Sequence, residues 1–278
     1  MKKTLLLILL MIGATLIAEP QAQQVKVVSF NIHNNSNPRN DGTNNWNRRA
    51  KAVIKMIDKE EPDIIGTQEA LLDQLSYIDR KFNRQYRRVG VSRDNGITRG
   101  EHTAIYYDKN KYRVLSHKTR WLSESPQRVS YSWDATEKHT VTIIHLQHIE
   151  SGKDFYYFNT QIEETGKTAR KESLKLLAEM IRTTVPKGTP VILGGDMSSN
   201  IDNGEFGILE EIGMEVARNI ATRTDYRNSY NAFGEDGAGM NDHFFVRDLI
   251  INRFRTLNKN YGVPYISNHY PIEITFTL

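Results

Sequence analysis

Hydrophobic residues recur along this chain in two alternating rhythms. Val25, Val27, Val28 and Phe30 form a β-branched, partly alternating run that predicts a strand. From Thr43 to Glu60 the apolar positions Trp46, Ala50, Val53, Ile54 and Ile57 have helical spacing, and Pro62 stops the helix. Asp63 to Gly66 reads as a short buried strand, and Leu71, Leu72, Leu75 and Ile78 mark a second helix. Short strand-like runs follow at 86–92, 103–107, 112–116, 120–123, 140–148 and 155–159. Helical spacing returns at Ala169, Leu174, Leu177, Met180 and Ile181. Residues 190–193, 244–246 and 272–278 supply the last strands. Helices, then many strands, then a helix and strands predict two stacked sheets with helices outside. No Pro-, Gly- or Ser-rich linker divides residues 25–278, which read as one domain.

The first residues follow another pattern. Met1-Lys2-Lys3 is basic, Thr4 to Ile17 is apolar and uncharged, and Glu19 to Gln23 is a polar exit. Residues 1–22 have the layout of a secretory signal peptide, with cleavage after Ala18 or Ala22. The run is short for a membrane span, and no later stretch is long enough. The expectation is an exported protein, periplasmic or secreted, without a stable membrane span.

Composition narrows the chemistry. There is no cysteine among 278 residues, which excludes disulfides, a thiolate metal site and a cysteine nucleophile. A net charge of +4 gives little reason to expect a long nucleic-acid duplex as partner. His139, His145 and His148 are close in sequence, but on a strand His145 and His148 point to opposite faces, which argues against a shared ion. The basic and aromatic segment Arg80 to Arg88 reads as a solvated connection, and Gly234 to Gly239 as a loop beside the site.

Polar residues cluster where apolar strands end. Asn31 follows VVSF, Gln68-Glu69 follows IIGT, Asn159-Thr160-Gln161 follows YYF, and Asp196 follows VILGG. Asp242 precedes FFV, and Ser267-Asn268-His269 precedes the final strand. Strand ends converging on one sheet edge commonly build a site. Their order and the segments VVSFNIH, DIIGTQEA, FYYFNTQIEE, PVILGGDMSSN, SYNAFG, NDHFFV and SNHYPIEITF resemble the endonuclease/exonuclease/phosphatase superfamily from Val25 to Leu278. The resemblance implies an α/β fold, a four-layer sandwich of two packed mixed sheets flanked by helices. It also implies hydrolysis of a phosphoester bond with a divalent metal, Mg2+ or Mn2+.

By the same resemblance, Glu69 and Asn31 hold the metal, and Asp196 orients the nucleophile. Asp242 supports a catalytic histidine, and His269 contacts the phosphate. Glu101, Asn159 and Asn231 lie on the substrate side. Three positions depart from the family pattern. Gln161 stands where a catalytic histidine is usual, Ser198 replaces the asparagine of Gly-Asp-x-Asn, and Asn268 replaces the aspartate of Ser-Asp-His. An amide cannot carry a proton near neutral pH. The expectation is therefore a hydrolase with a weakened or reorganised site and weakly bound metal. Its alternative is an inactive relative that binds a phosphate- or sugar-bearing ligand. Glu163 and Glu164 are read as solvated loop residues. The substrate class and oligomeric state are left open by the sequence.

Overall fold

The computed structural model describes residues 24–36 and 41–278; the segment read as a signal peptide lies outside the described residues. The first sheet contains β1 (Gln24–Asn31), β2 (Ile64–Gln68), β3 (Tyr86–Val89) and β4 (Ile105–Asp108), with β11 (Ile251–Thr256) and β12 (Ile272–Thr277). Its order is β11-β12-β1-β2-β4-β3. The second contains β5 (Tyr112–Trp121), β6 (Thr140–His148), β7 (Asp154–Gln161), β8 (Val191–Asp196), β9 (Glu215–Val216) and β10 (Asp242–Arg247), in the order β5-β6-β7-β8-β10-β9. Each sheet is antiparallel except for one central parallel pair, β1 with β2 and β7 with β8. Parallel neighbours need a crossover. Here α1 (Trp46–Glu60) and α3 (Lys167–Thr184) supply it.

Alternation along the strands explains the layers. Val28, Phe30 and Ile65 pack outward with Val53, Met56 and Ile57 of α1 and with Leu75 and Ile78 of α2 (Leu72–Phe82). Phe158 and Leu193 pack outward with Leu174, Leu177 and Ile181 of α3. The intervening positions Val27, Ile64, Tyr157, Ile192, Phe244 and Ile274 meet between the sheets. A period of two thus sends neighbouring residues into different cores, and the result is the four-layer α/β sandwich.

Several sequence-based boundaries shift. The runs at 112–116 and 120–123 merge into one ten-residue strand, β5, which ends at Trp121. The edge strand β11 lacks a clean pattern because arginines punctuate it and its pairing slips between Ile251 and Arg253. At α1 the helix ends at Glu60, and Glu61 adopts φ 45° before Pro62. Gly66 is required by the sheet packing: a Cβ there would lie 2.2 Å from the Tyr157 hydroxyl. Among the described residues, no helix is long and apolar enough to cross a membrane.

Candidate active site

The C-terminal ends of the two parallel pairs open onto the same cleft. Asn31 pairs in register with Gln68, so Glu69 stands just beyond. In the other sheet Gln161 is level with Asp196, and Asp196 with Asp242. Side chains from both sheets therefore converge on one edge. The amide of Asn31 joins them: its Nδ2 donates to Glu69 Oε1 and to Asp196 Oδ2, each at 2.8 Å. Gln161 Nε2 donates to Glu69 Oε1 at 3.1 Å.

His269 enters from the loop before β12. Its Nδ1 lies 2.7 Å from Asp242 Oδ2, and its Nε2 lies 3.8 Å from Asp196 Oδ2. All three residues are buried. Burial alone would lower the imidazole, but the charges of Asp242 and Asp196 and the bond to Asp242 outweigh it and push His269 up to about 9. Burial raises Asp196 to about 6 against the pull of His269, while its Oδ1 accepts from the Ser198 amide at 2.9 Å. One ligand atom from each of Asp196, Asp242 and His269 falls within 4.8 Å of the others.

The strand ends turn sharply here. His33, Glu69 and Ser198 have φ values of 57°, 59° and 48°, a left-handed backbone that costs a non-glycine residue about 1 kcal/mol or more. Gly195 permits a close crossing, since a Cβ on it would lie 1.8 Å from the Thr160 carbonyl. Arg49, which the sequence did not single out, braces the floor from beneath. It donates to the carbonyls of Ile32 and Ile266, each at 2.8 Å, and to that of His33 at 3.0 Å. Its guanidinium is pushed down to about 10 by burial.

The structure corrects several sequence-based roles. Asn159 does not face substrate. Its Nδ2 donates to the carbonyls of Thr67 and Ala104, its Oδ1 accepts from Gln68 at 2.6 Å, and it is fully buried between the sheets. Asn231 is also committed locally: it donates to the Ser267 carbonyl at 3.2 Å and accepts from the Phe233 amide at 2.9 Å. Asp242 serves His269 and not position 161, whose carboxylate neighbour is Glu69. Ser198 Oγ turns to the Ile162 carbonyl, and Asn268 Oδ1 accepts from Ser267 Oγ.

Glu163 is not a solvated loop residue. It is 2% exposed and accepts from the Thr136 amide at 2.9 Å and the Thr165 amide at 3.1 Å, with both threonine hydroxyls also bound to it. The bond from His139, together with these donors, holds its carboxyl far below the usual range against the effect of burial. His145 and His148 diverge, as their spacing predicts. One pairs with Asp154 and the other bonds Ser151.

A cavity of about 400 Å³ opens above this floor, lined by Glu69, Gln161, Asp196 and His269. Glu101 also lines it, and burial with the nearby charge of Glu69 raises its carboxyl against the pull of Arg93. His139 lines it as well, and so do residues missed in the sequence: Asn34, Arg93, Glu137 and Tyr230. No single motif groups them, because separate parts of the chain deliver them; Tyr230 lies within SYNAFG but carried no role of its own there.

Carboxylates gathered around a buried imidazole form a donor set of the hard kind that divalent cations select. The four-layer scaffold with this cluster at its edge is that of the phosphoester-hydrolase class whose members typically depend on a divalent metal. The chain belongs to the Endonuclease/Exonuclease/phosphatase family, whose model matches residues 28–269. Its structure is similar to a family member from Bacteroides vulgatus, with a TM-score of 0.86 at 27% identity, covering 92% of this chain and 99% of that one. It is also similar to a mannosyl-6-phosphatase from Bacteroides thetaiotaomicron VPI-5482, with a TM-score of 0.85 at 27% identity, covering 91% of this chain and all of the other. An uncharacterized protein of Acanthamoeba polyphaga mimivirus is 24% identical over 279 residues, which is 91% of this chain and 100% of that one.

Proposed function

We propose that the protein is an exported, divalent-metal-dependent phosphoester hydrolase with a reorganised site. The observation that carries this reading is the Asp242–His269 pair, 2.7 Å apart, with the imidazole facing Asp196 across the cavity floor. A histidine bonded to a buried carboxylate has a fixed tautomer and a stabilised charge. The Glu69 carboxylate offers oxygen ligands that fit Mg2+ or Mn2+, whereas Asn31, expected from the sequence to share the ion, turns its Nδ2 to Glu69 and Asp196 and its Oδ1 to the His33 amide and so aligns the carboxylates instead; a bound ion would neutralise charge developing on the phosphoryl oxygens.

The protein groups divide the remaining work. Asn31 and the Ser198 amide hold the Asp196 carboxylate in one orientation. Its raised proton affinity suits it to accept a proton from the attacking water. His269, held as imidazolium by Asp242, donates through Nε2 to a phosphoryl oxygen. Gln161 offers amide hydrogens to the same group without exchanging a proton. The sugar-phosphate activity named for the B. thetaiotaomicron relative supports a phosphoester of a sugar as substrate.

Phosphate release from a hexose 6-phosphate, a generic phosphomonoester and a phosphodiester tests the reading, with Mg2+, Mn2+ or chelator. Metal-dependent turnover that disappears in His269→Ala is the expected result. A folded wild type that binds phosphate ligands without turning any over would favour the binding-module reading. Export is tested by N-terminal sequencing after expression in a host with a secretion pathway; an intact Met1 in the cytosolic fraction would overturn it.

A further inference from the structure

The cavity does not end at the phosphoryl floor. Beyond Glu69 it runs to a wall made by Glu101, Arg93 and Glu137, while Tyr230 lies near His269. Arg93 links the two carboxylates: one guanidinium nitrogen lies 2.7 Å from Glu101 Oε2, the other 2.5 Å from Glu137 Oε2. Glu101 Oε1 accepts from Asn34 Nδ2 at 2.8 Å. The side chains of Glu101 and Arg93 are 12% and 15% exposed, and that of Glu137 is 56% exposed. The wall thus runs from a deep carboxylate to one at the rim.

Three hydrogen bonds fix the wall. The Arg93 amide donates to the Glu101 carbonyl at 2.8 Å, and Trp121 Nε1 donates to the Arg93 carbonyl at 2.7 Å. Glu137 belongs to a loop anchored by the Glu163 carboxylate through Thr136. Both sides are therefore placed before any ligand arrives, which reduces the ordering cost of binding.

We infer that Glu101, Arg93 and Glu137 form the leaving-group subsite, and that it selects a phosphomonoester of a neutral polyhydroxylated alcohol over a nucleic-acid end. The inference rests on the hydrolase reading above. Carboxylate oxygens and guanidinium N–H groups in a row match the paired donors and acceptors of neighbouring sugar hydroxyls. The Tyr230 ring, whose centroid is 5.0 Å from that of His269, supplies a flat apolar face near the phosphoryl group. Apart from Glu101, whose raised carboxyl is left out of the count, the lining carries the carboxylates of Glu137, Glu69 and Glu164 against the guanidinium of Arg93. A leaving group that carries further phosphates meets like charge there, and such juxtaposition sets specificity through repulsion. In the reaction the P–O bond to the sugar breaks, water oxygen bonds to phosphorus, and a proton passes to the departing alkoxide. The products are the neutral alcohol and inorganic phosphate.

The test compares hexose 6-phosphate with an oligonucleotide bearing a terminal phosphate, in Mg2+ or Mn2+, for the full-length mature protein. The expected kcat/KM favours hexose phosphate by about tenfold or more, the scale of one hydrogen bond to a charged group. Glu101→Gln should raise KM for hexose phosphate more than it lowers kcat. Glu137→Gln, which keeps the shape and removes the charge, should narrow the preference over the oligonucleotide. Equal or reversed preference in the wild type, or an unchanged ratio in both variants, would overturn the subsite. Calorimetric binding of hexose 6-phosphate keeps the inference testable apart from turnover: weaker binding by Glu101→Gln supports it, and equal binding refutes it. Absence of all phosphoester turnover would count against the hydrolase reading alone.

Discussion

Replacing Asp242 by Asn removes one charge from the centre of the site while keeping its shape. In the wild type the carboxylate lies 2.7 Å from His269 Nδ1, and both residues are buried. At that separation, opposite unit charges attract by about 6 kcal/mol at an effective dielectric of about 20. Burial offsets part of this. The net preference for the imidazolium, a rise from 6.5 to about 9, corresponds to about 3 kcal/mol. Asp196 contributes part of it, so Asp242→Asn should lower the proton affinity of His269 tenfold or more, about 1.4 kcal/mol. Histidine NMR titration of the metal-free protein measures this, with His269→Gln to assign the resonance among the eight histidines. The same substitution frees the imidazole to adopt the wrong tautomer. Its kcat for phosphate release should fall by about 10²–10⁴. The stability difference also has a sign. The folded chain binds this proton more tightly than the unfolded chain, so the contribution is full below about pH 6.5 and fades as pH rises through about 9. Melting curves of wild type and variant should therefore converge in alkali. A folded variant with unchanged His269 titration and unchanged kcat would refute the assignment of Asp242 to His269.

Three further outcomes are expected. The wild type should bind divalent cations weakly in calorimetric titration, and Glu69→Ala should abolish that binding; equal binding by both would move the metal elsewhere. Glu163→Gln should reduce stability at neutral pH by about 1–3 kcal/mol in denaturant unfolding, because a charged acceptor of several buried donors is lost. Since its folded carboxyl lies far below the unfolded value of about 4.3, that difference should shrink as pH falls below about 4. Gln161→His should change kcat by less than about tenfold, because the new imidazole would face Glu69 instead of a dedicated partner; a larger gain in steady-state kinetics would show that this position limits the wild type.

The regular elements were legible because alternation and helical spacing are local signals. The run 140–148 coincides with β6, and α3 extends the pattern seen from Ala169 to Ile181. Residues at the floor were legible for a similar reason: Asn31, Glu69, Asp196 and Asp242 each sit at or beside the end of an apolar strand. Partnership was harder to read. Asp242 and His269 are 27 positions apart and meet through sheet register and a loop, so their pairing has no sequence spacing to reveal it. Asn159 misled because a polar residue at a strand end can face either the cleft or the neighbouring sheet. Gly66 leaves room for it to do the latter. Glu163 carried no helical or strand pattern, and its role emerged only when its donors from positions 136 and 165 were brought around it.

The bond between Asn31 and Asp196 spans 165 positions and joins one sheet to the other. Neither sheet owns the phosphoryl floor. Asn31 and Glu69 come with the first, while Gln161, Asp196 and Asp242 come with the second. A partly folded chain in which either sheet has formed alone holds only half of the donors, at no fixed distance from the rest. Competence for chemistry is therefore a property of the last docking event. On the hydrolase reading, recovery of turnover during refolding would therefore report closure of the two halves and not the formation of either.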